Sequence, residues 1–226
     1  MYRFTACAAI CIAASLIVAG CGSTGKPSHS ASSTTSSAAR QARVLSDLGS
    51  NATTADAAGC TIRAPKMLPT SHAEQPNPKD WSSNPPTSGK HNPQWASWGR
   101  YASPVEDRYA LHNLEHGGVA LWIGTGVSPA LISRIDSELL KPKLKWIVVP
   151  RPGLDGFAAA SWGLLMNCSA SAVKSLGADD TMSLLAKWYE VTSSKQTINE
   201  AKIPAYAGTY TGKRPVKDIS IPLPKQ

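Results

Sequence analysis

Residues 119–149 read VALWIGTGVSPALISRIDSELLKPKLKWIVV, and this stretch decides the fold. Val119 to Ile123 is an apolar run rich in strand-forming residues, the pattern of a strand buried on both faces. Ser128-Pro129 then supplies a helix start, with Ser as the cap and Pro at the first helical position. Leu131, Ile132, Ile135 and Leu139 fall on one face of a helix running to about Leu140. Leu144 to Val149 is a second apolar strand, closed by Pro150-Arg151-Pro152-Gly153. A right-handed crossover makes the two strands parallel. Further on, Phe157 to Asn167 predicts a third strand leading into Cys168 and pairing antiparallel with the second. Thr181 to Val191 predicts an amphipathic helix with Leu184, Leu185 and Trp188 on its apolar face. The order β-α-β-β-α points to a small two-layer α+β domain.

Upstream, residues 60–104 carry Pro65, Pro69, Pro76, Pro78, Pro85, Pro86, Pro93 and Pro104, which leaves room only for short strands. Trp81, Trp95, Trp98 and Tyr101 lie in the same segment, so it is expected to pack down as an ordered Pro/Trp-rich loop region. Ser103-Pro104-Val105-Glu106 has capping-box spacing, predicting a helix through Leu111-His112-Asn113-Leu114-Glu115-His116 that stops at Gly117-Gly118. A strand beginning at Ala110 is the competing reading.

The N-terminus speaks to compartment. Met1-Tyr2-Arg3 is a short basic segment, Phe4 to Val18 is apolar, and Val18-Ala19-Gly20-Cys21 follows directly. Those four residues resemble a bacterial lipobox, which implies cleavage before Cys21 and a lipid on its thiol. The expected organisation is a signal peptide over 1–20, a lipidated Cys21 and Ser/Ala-rich tether over 21–55, a globular domain over 56–191 and an extended Pro-rich tail over 192–226. That places the chain on the extracytoplasmic face of a bacterial membrane, with the membrane and an envelope ligand or protein as partners. Of five Cys, Cys7 and Cys11 leave with the signal and Cys21 carries lipid, so Cys60 and Cys168 remain. In an oxidising compartment such a pair is expected to be a disulfide.

The formal net charge is +8, but the cations are scattered, with no dense basic run or stacking motif, and nucleic acid is not an expected partner. Gly124-Thr125-Gly126-Val127-Ser128 lacks the lysine and spacing of a phosphate loop, Ser161 has no nucleophile-elbow frame, and Cys60 and Cys168 lack C-x-x-C spacing.

The chemistry rests on histidine. Four of the five, His72, His91, His112 and His116, fall between residues 72 and 116; the fifth, His29, sits in the tether. His91 ends the rigid turn Pro85-Pro86-Thr87-Ser88-Gly89-Lys90-His91, and His112 and His116, four apart, share one helix face. The PPTSGKH turn and the HNLEHGGV block, with Trp95 and Gly99-Arg100-Tyr101 between them, resemble the hallmark motifs of the bacterial DUF3105 family. His72 and Ala159-Ala160-Ser161-Trp162-Gly163 extend the resemblance to about residues 58–190. It supports a grouping and implies no reaction.

Three readings compete. A metal site of His72, His91, His112, Glu115 and His116 would suit Zn or Cu, with Asn113 and Ser88 orienting ring nitrogens. A metallohydrolase of H-x-x-E-H type would use Glu115 to activate water and need Glu138, Glu190 or Glu200 as a further ligand. In the third reading the histidines are scaffold in an envelope interaction module. The expectation is a binding module rather than an enzyme, with no catalytic residue assigned.

Overall fold

The computed structural model describes residues 36–193 and the backbone of residues 205–206. The signal-like segment, Cys21, His29, Glu200 and the rest of the tail lie outside the described residues. No helix among the described residues is long and apolar enough to cross a membrane.

Two helices open the chain, α1 (Ser37–Leu48) and α2 (Ser50–Ala58). The short strands β1 (Thr61–Arg63), β2 (Ser71–His72), β3 (Lys90–His91), β4 (Trp95–Ala96) and β5 (Gly99–Arg100) punctuate the Pro-rich region. Then come α3 (Asp107–Glu115), β6 (Val119–Thr125), α4 (Pro129–Glu138), β7 (Trp146–Asp155), β8 (Phe157–Ser161), β9 (Leu164–Cys168) and α5 (Ala170–Thr192), and β10 (Ala205–Tyr206) runs parallel to β4.

The expected β-α-β unit is present: β6 and β7 are parallel, with Val119 opposite Trp146 and Trp122 opposite Val149. Ser128 caps α4 by accepting from the Leu131 amide. The six-stranded sheet has the order β1-β9-β8-β6-β7-β5. Its residues alternate between two apolar layers. Val119, Leu121, Ile123, Val148 and Phe157 face Leu131 and Ile135 of α4, Leu185 and Trp188 of α5, and Val44 and Leu48 of α1. Ala120, Trp122, Ile147, Val149 and Ala158 face Leu111 and Leu114 of α3 together with Trp95, Trp98 and Tyr101. The class is α+β as expected, but the Pro/Trp-rich region and α3 form a third layer, so the sheet is buried on both sides.

Several expectations need correction. The supposed tether is helical from Ser37 onward: Val44 and Leu48, four apart, are buried, and the side chains of Arg40 and Gln41 donate to Pro65 O and Ile62 O. The Gln41 bond satisfies an acceptor of the edge strand β1, and the Arg40 bond holds the chain just beyond it. The 157–167 strand is a hairpin, β8 and β9, and β8 pairs antiparallel with β6, not β7. The reason is local. β7 runs on past its prolines to Asp155, which sits opposite Thr125, and Gly156 exchanges backbone bonds with Gly124 and Thr125. The chain thus rounds the end of β6, while the far edge of β7 is taken by β5. The last helix begins at Ser169, which caps Ala172, and contains a non-helical residue at Gly177. Ser103 and Glu106 form no capping box; α3 starts four residues later, with Glu106 at its N-cap. It does end at Gly117-Gly118, whose amides bond Leu114 O and Asn113 O. Gly118 is required there, since a Cβ would lie 2.3 Å from the Trp98 ring.

Cys60 and Cys168 are disulfide-bonded, extending the β1–β9 ladder by one pair beyond Thr61–Asn167.

Candidate functional site

Two pieces of local structure bring the histidines together. β2 and β3 are parallel with His72 directly opposite His91, which puts both side chains on one face of the pair. The turn into β3 needs Gly89: its φ is 110°, and a Cβ would lie 2.9 Å from Asp80 O. α3 then carries His112 and Glu115 against them. Asn92 ties the two pieces, its amide donating to Arg108 O of α3 and its side chain to Glu74 O. The Arg108 guanidinium also donates to Glu74 O.

His91 and His112 are both 0% exposed. The Nδ1 of His91 lies 2.8 Å from Gly89 O, and the Nδ1 of His112 lies 2.8 Å from Asn92 O. A carbonyl oxygen only accepts, so both Nδ1 atoms carry the proton. The position left on each ring is Nε2; on His91 it bonds to the Glu115 carboxylate, and on His112 it meets His116. His91 Nε2 is 2.9 Å from Glu115 Oε2, and His72 Nε2 is 3.6 Å from the same oxygen. The His72 ring stacks on His112 at 5.1 Å, with an interplanar angle of 6°. Trp162 closes the back of the site edge-on to His91 at 6.0 Å. The open side is His72, whose side chain is 42% exposed.

Donor atoms of His72, His91, His112 and Glu115 all lie within 4.8 Å of one another, a group that can hold a metal ion. Tetrahedral zinc with bonds of about 2.0–2.1 Å needs ligand atoms about 3.3 Å apart, and the 2.9 and 3.6 Å separations bracket that value. Imidazole rings held by Nδ1–H bonds to carbonyls, with Nε2 left for the ion, are the usual supporting arrangement of a metal site. His116 stands outside this group of four; its Nε2 is 2.7 Å from His112 Nε2.

Burial favours the neutral ring at His112, while Glu115 is held as a carboxylate. Burial lowers the His112 pKa to about 4; the Asn92 carbonyl opposes this, while the charges of His91 and His116 add to it. For Glu115, burial alone would raise the pKa, but the His91 hydrogen bond and the positive potential of His91, His112 and His116 hold it below the ordinary carboxylate value.

A pH prediction follows from His112. An unfolded chain binds the proton near pH 6.5 and the folded chain only near 4. The stability carried by the neutral ring is therefore complete above about 6.5 and is lost as pH falls toward 4, on the order of 3 kcal/mol in all. Urea unfolding of metal-free protein between pH 7.5 and 4 should show a steeper decline for the wild type than for His112→Gln. Parallel curves would refute the neutral-ring assignment.

Other expected residues lie elsewhere. Asn113 orients no ring; its side chain bonds both Ala96 N and Ala96 O. Ser88 Oγ accepts from the Leu68 amide. Glu138 pairs with Arg134 and Glu190 with Lys187, so neither supplies the further ligand that an H-x-x-E-H hydrolase needs. The structural roles of Gly89 O and Asn92 O were not readable beforehand, because backbone acceptors leave no mark in a sequence.

A family model described as "Protein of unknown function (DUF3105)" matches residues 72–179, a span that contains His72, His91, His112 and Glu115. No curated protein and no solved structure matches the chain.

Proposed function

We propose that this chain, whose residues 72–179 match the DUF3105 family model, binds a transition metal, Zn or Cu, at the His72–His91–His112–Glu115 cluster; the family description names no reaction. The observation that carries this reading is the pair of buried imidazoles whose Nδ1 atoms are spent on Gly89 O and Asn92 O. Their Nε2 atoms remain as the ligand positions, where an ion would replace the contacts to Glu115 and His116, and Glu115 is held as a carboxylate. Nitrogen donors with one carboxylate suit both metals. We further propose that Cys21 is lipidated and holds the protein on the extracytoplasmic face of a bacterial membrane. The lipobox-like Val18-Ala19-Gly20-Cys21 and the Cys60–Cys168 disulfide, which suits an oxidising compartment, support that placement. The protein acts as a binding module.

The test is metal content and titration of the full chain purified in detergent without chelators. The wild type should hold close to one equivalent of Zn or Cu. His91→Ala and His112→Ala should each weaken it by more than about 100-fold, since changes to supporting residues alone cost 10–100-fold. A wild type that takes up neither ion would overturn the proposal and leave the cluster as scaffold.

A further inference from the structure

His116 is the residue of the HNLEH block that the four-ligand group leaves out. Its ring lies against His112, with centroids 4.6 Å apart and the two Nε2 atoms 2.7 Å apart. Two nitrogens at that distance share one proton, and one of them must be the donor. His112 cannot be the donor while neutral, because its proton sits on Nδ1, facing Asn92 O. The donor is therefore His116 Nε2–H, and the acceptor is the very lone pair of His112 that a metal requires.

We infer that His116 is a latch rather than a ligand: in the empty site it occupies the coordinating lone pair of His112, and an incoming metal must displace it. This rests on the metal-binding reading of the cluster. Loading forms a metal–Nε2 bond at His112 and breaks the hydrogen bond, and the proton stays on His116. Backbone bonds hold the His116 main chain in place. The Lys145 ammonium donates to His116 O and the His116 amide donates to His112 O. The side chain is only half-buried, so it can rotate toward solvent as the ion enters.

The latch adds the same cost for every ion, because it belongs to the empty protein. Weak binders are thereby pushed below useful occupancy, while ions high in the affinity series still load. His116 is thus a positioning residue that sets the threshold of the site.

The experiment uses Zn²⁺ and Co²⁺ titrations of the full chain, comparing the wild type with His116→Ala and His116→Phe. Phe keeps a ring but has no N–H. Both variants should bind each metal about fivefold more tightly, the worth of one ordinary hydrogen bond. The gain should be equal for the two ions, and the visible Co²⁺ spectrum should match that of the wild type. His116→Gln, which keeps an N–H donor, should return the affinity toward the wild-type value. Weaker binding in His116→Phe with an altered Co²⁺ spectrum would make His116 a ligand and overturn the latch alone. A wild type that binds neither ion would overturn the latch and the metal-binding reading together.

Discussion

Replacing Cys60 and Cys168 together by Ala should lower the unfolding free energy by about 4–5 kcal/mol, the entropy that a crosslink of this span removes from the unfolded chain. The two residues are 108 apart in sequence, so the closed loop contains the whole β6–α4–β7 unit, α3 and the histidine cluster. The bridge joins the edge strand β1 to the end of β9, where α2 finishes and α5 is about to begin. Without it, β1 is held by a three-residue ladder and by the side chains of Arg40 and Gln41. Urea titration of the double variant beside the wild type reads the loss directly. An unchanged midpoint would mean that the bridge adds nothing, and two reactive thiols in the unfolded, unreduced protein would mean that it does not form. Metal content should survive in the folded fraction. The histidines sit with α3 on the opposite face of the sheet from Cys60 and Cys168.

Asn113→Ala should cost about 4 kcal/mol. The Asn113 side chain is wholly buried, accepting from Ala96 N at 2.8 Å and donating to Ala96 O at 2.7 Å. It thus imitates a neighbouring strand and holds β4 to α3. Truncation orphans two buried backbone groups, each worth about 1–3 kcal/mol. Asn113→Asp is the sharper control. A carboxylate can accept from Ala96 N but cannot donate to Ala96 O, and it brings a charge into a sealed site. Both variants should fall well below the wild type in thermal and urea unfolding. If Asp were tolerated as well as Asn, the clamp would not be the reason for this residue. Because Asn113 adjoins His112, its loss should also loosen the histidine cluster, seen as weaker Zn²⁺ uptake, if the proposed site forms, in whatever fraction remains folded.

How much of this was legible beforehand depended on range. The helix of the HNLEH block and its stop at Gly117-Gly118 were readable, whereas its start was misplaced. Ser103 and Glu106 have capping spacing, but Tyr101 is pinned to β7 through its amide bond to Val148 O, and the chain turns into α3 only at Glu106. The helices at 37–58 were read as tether because the apolar stripe of α1 is only the short pair Val44 and Leu48, and α2, SNATTADAA, has no apolar stripe of its own. They become helical by packing Val44, Leu48 and Ala55 against the sheet-and-α5 layer.

Features governed by short spacing and chain chemistry could be read directly from the residues. The apolar runs of β6 and β7 and the Ser128-Pro129 start of α4 made a parallel β-α-β unit legible, and Cys60 and Cys168, the pair expected to bridge, are bonded. The histidine frames were legible too, as a set of candidates. Tertiary structure alone decided that β8 lies on β6, because β7 overruns its prolines and rounds the end of that strand. It also decided which nitrogens face inward. His72 meets His91 through a two-residue parallel ladder, and the Nδ1 atoms of His91 and His112 are claimed by Gly89 O and Asn92 O. Those acceptors are backbone atoms brought up by chain from outside the local motif or by a turn. Side-chain identity encodes which groups are available, whereas long-range packing sets which ring nitrogens face one another and Glu115.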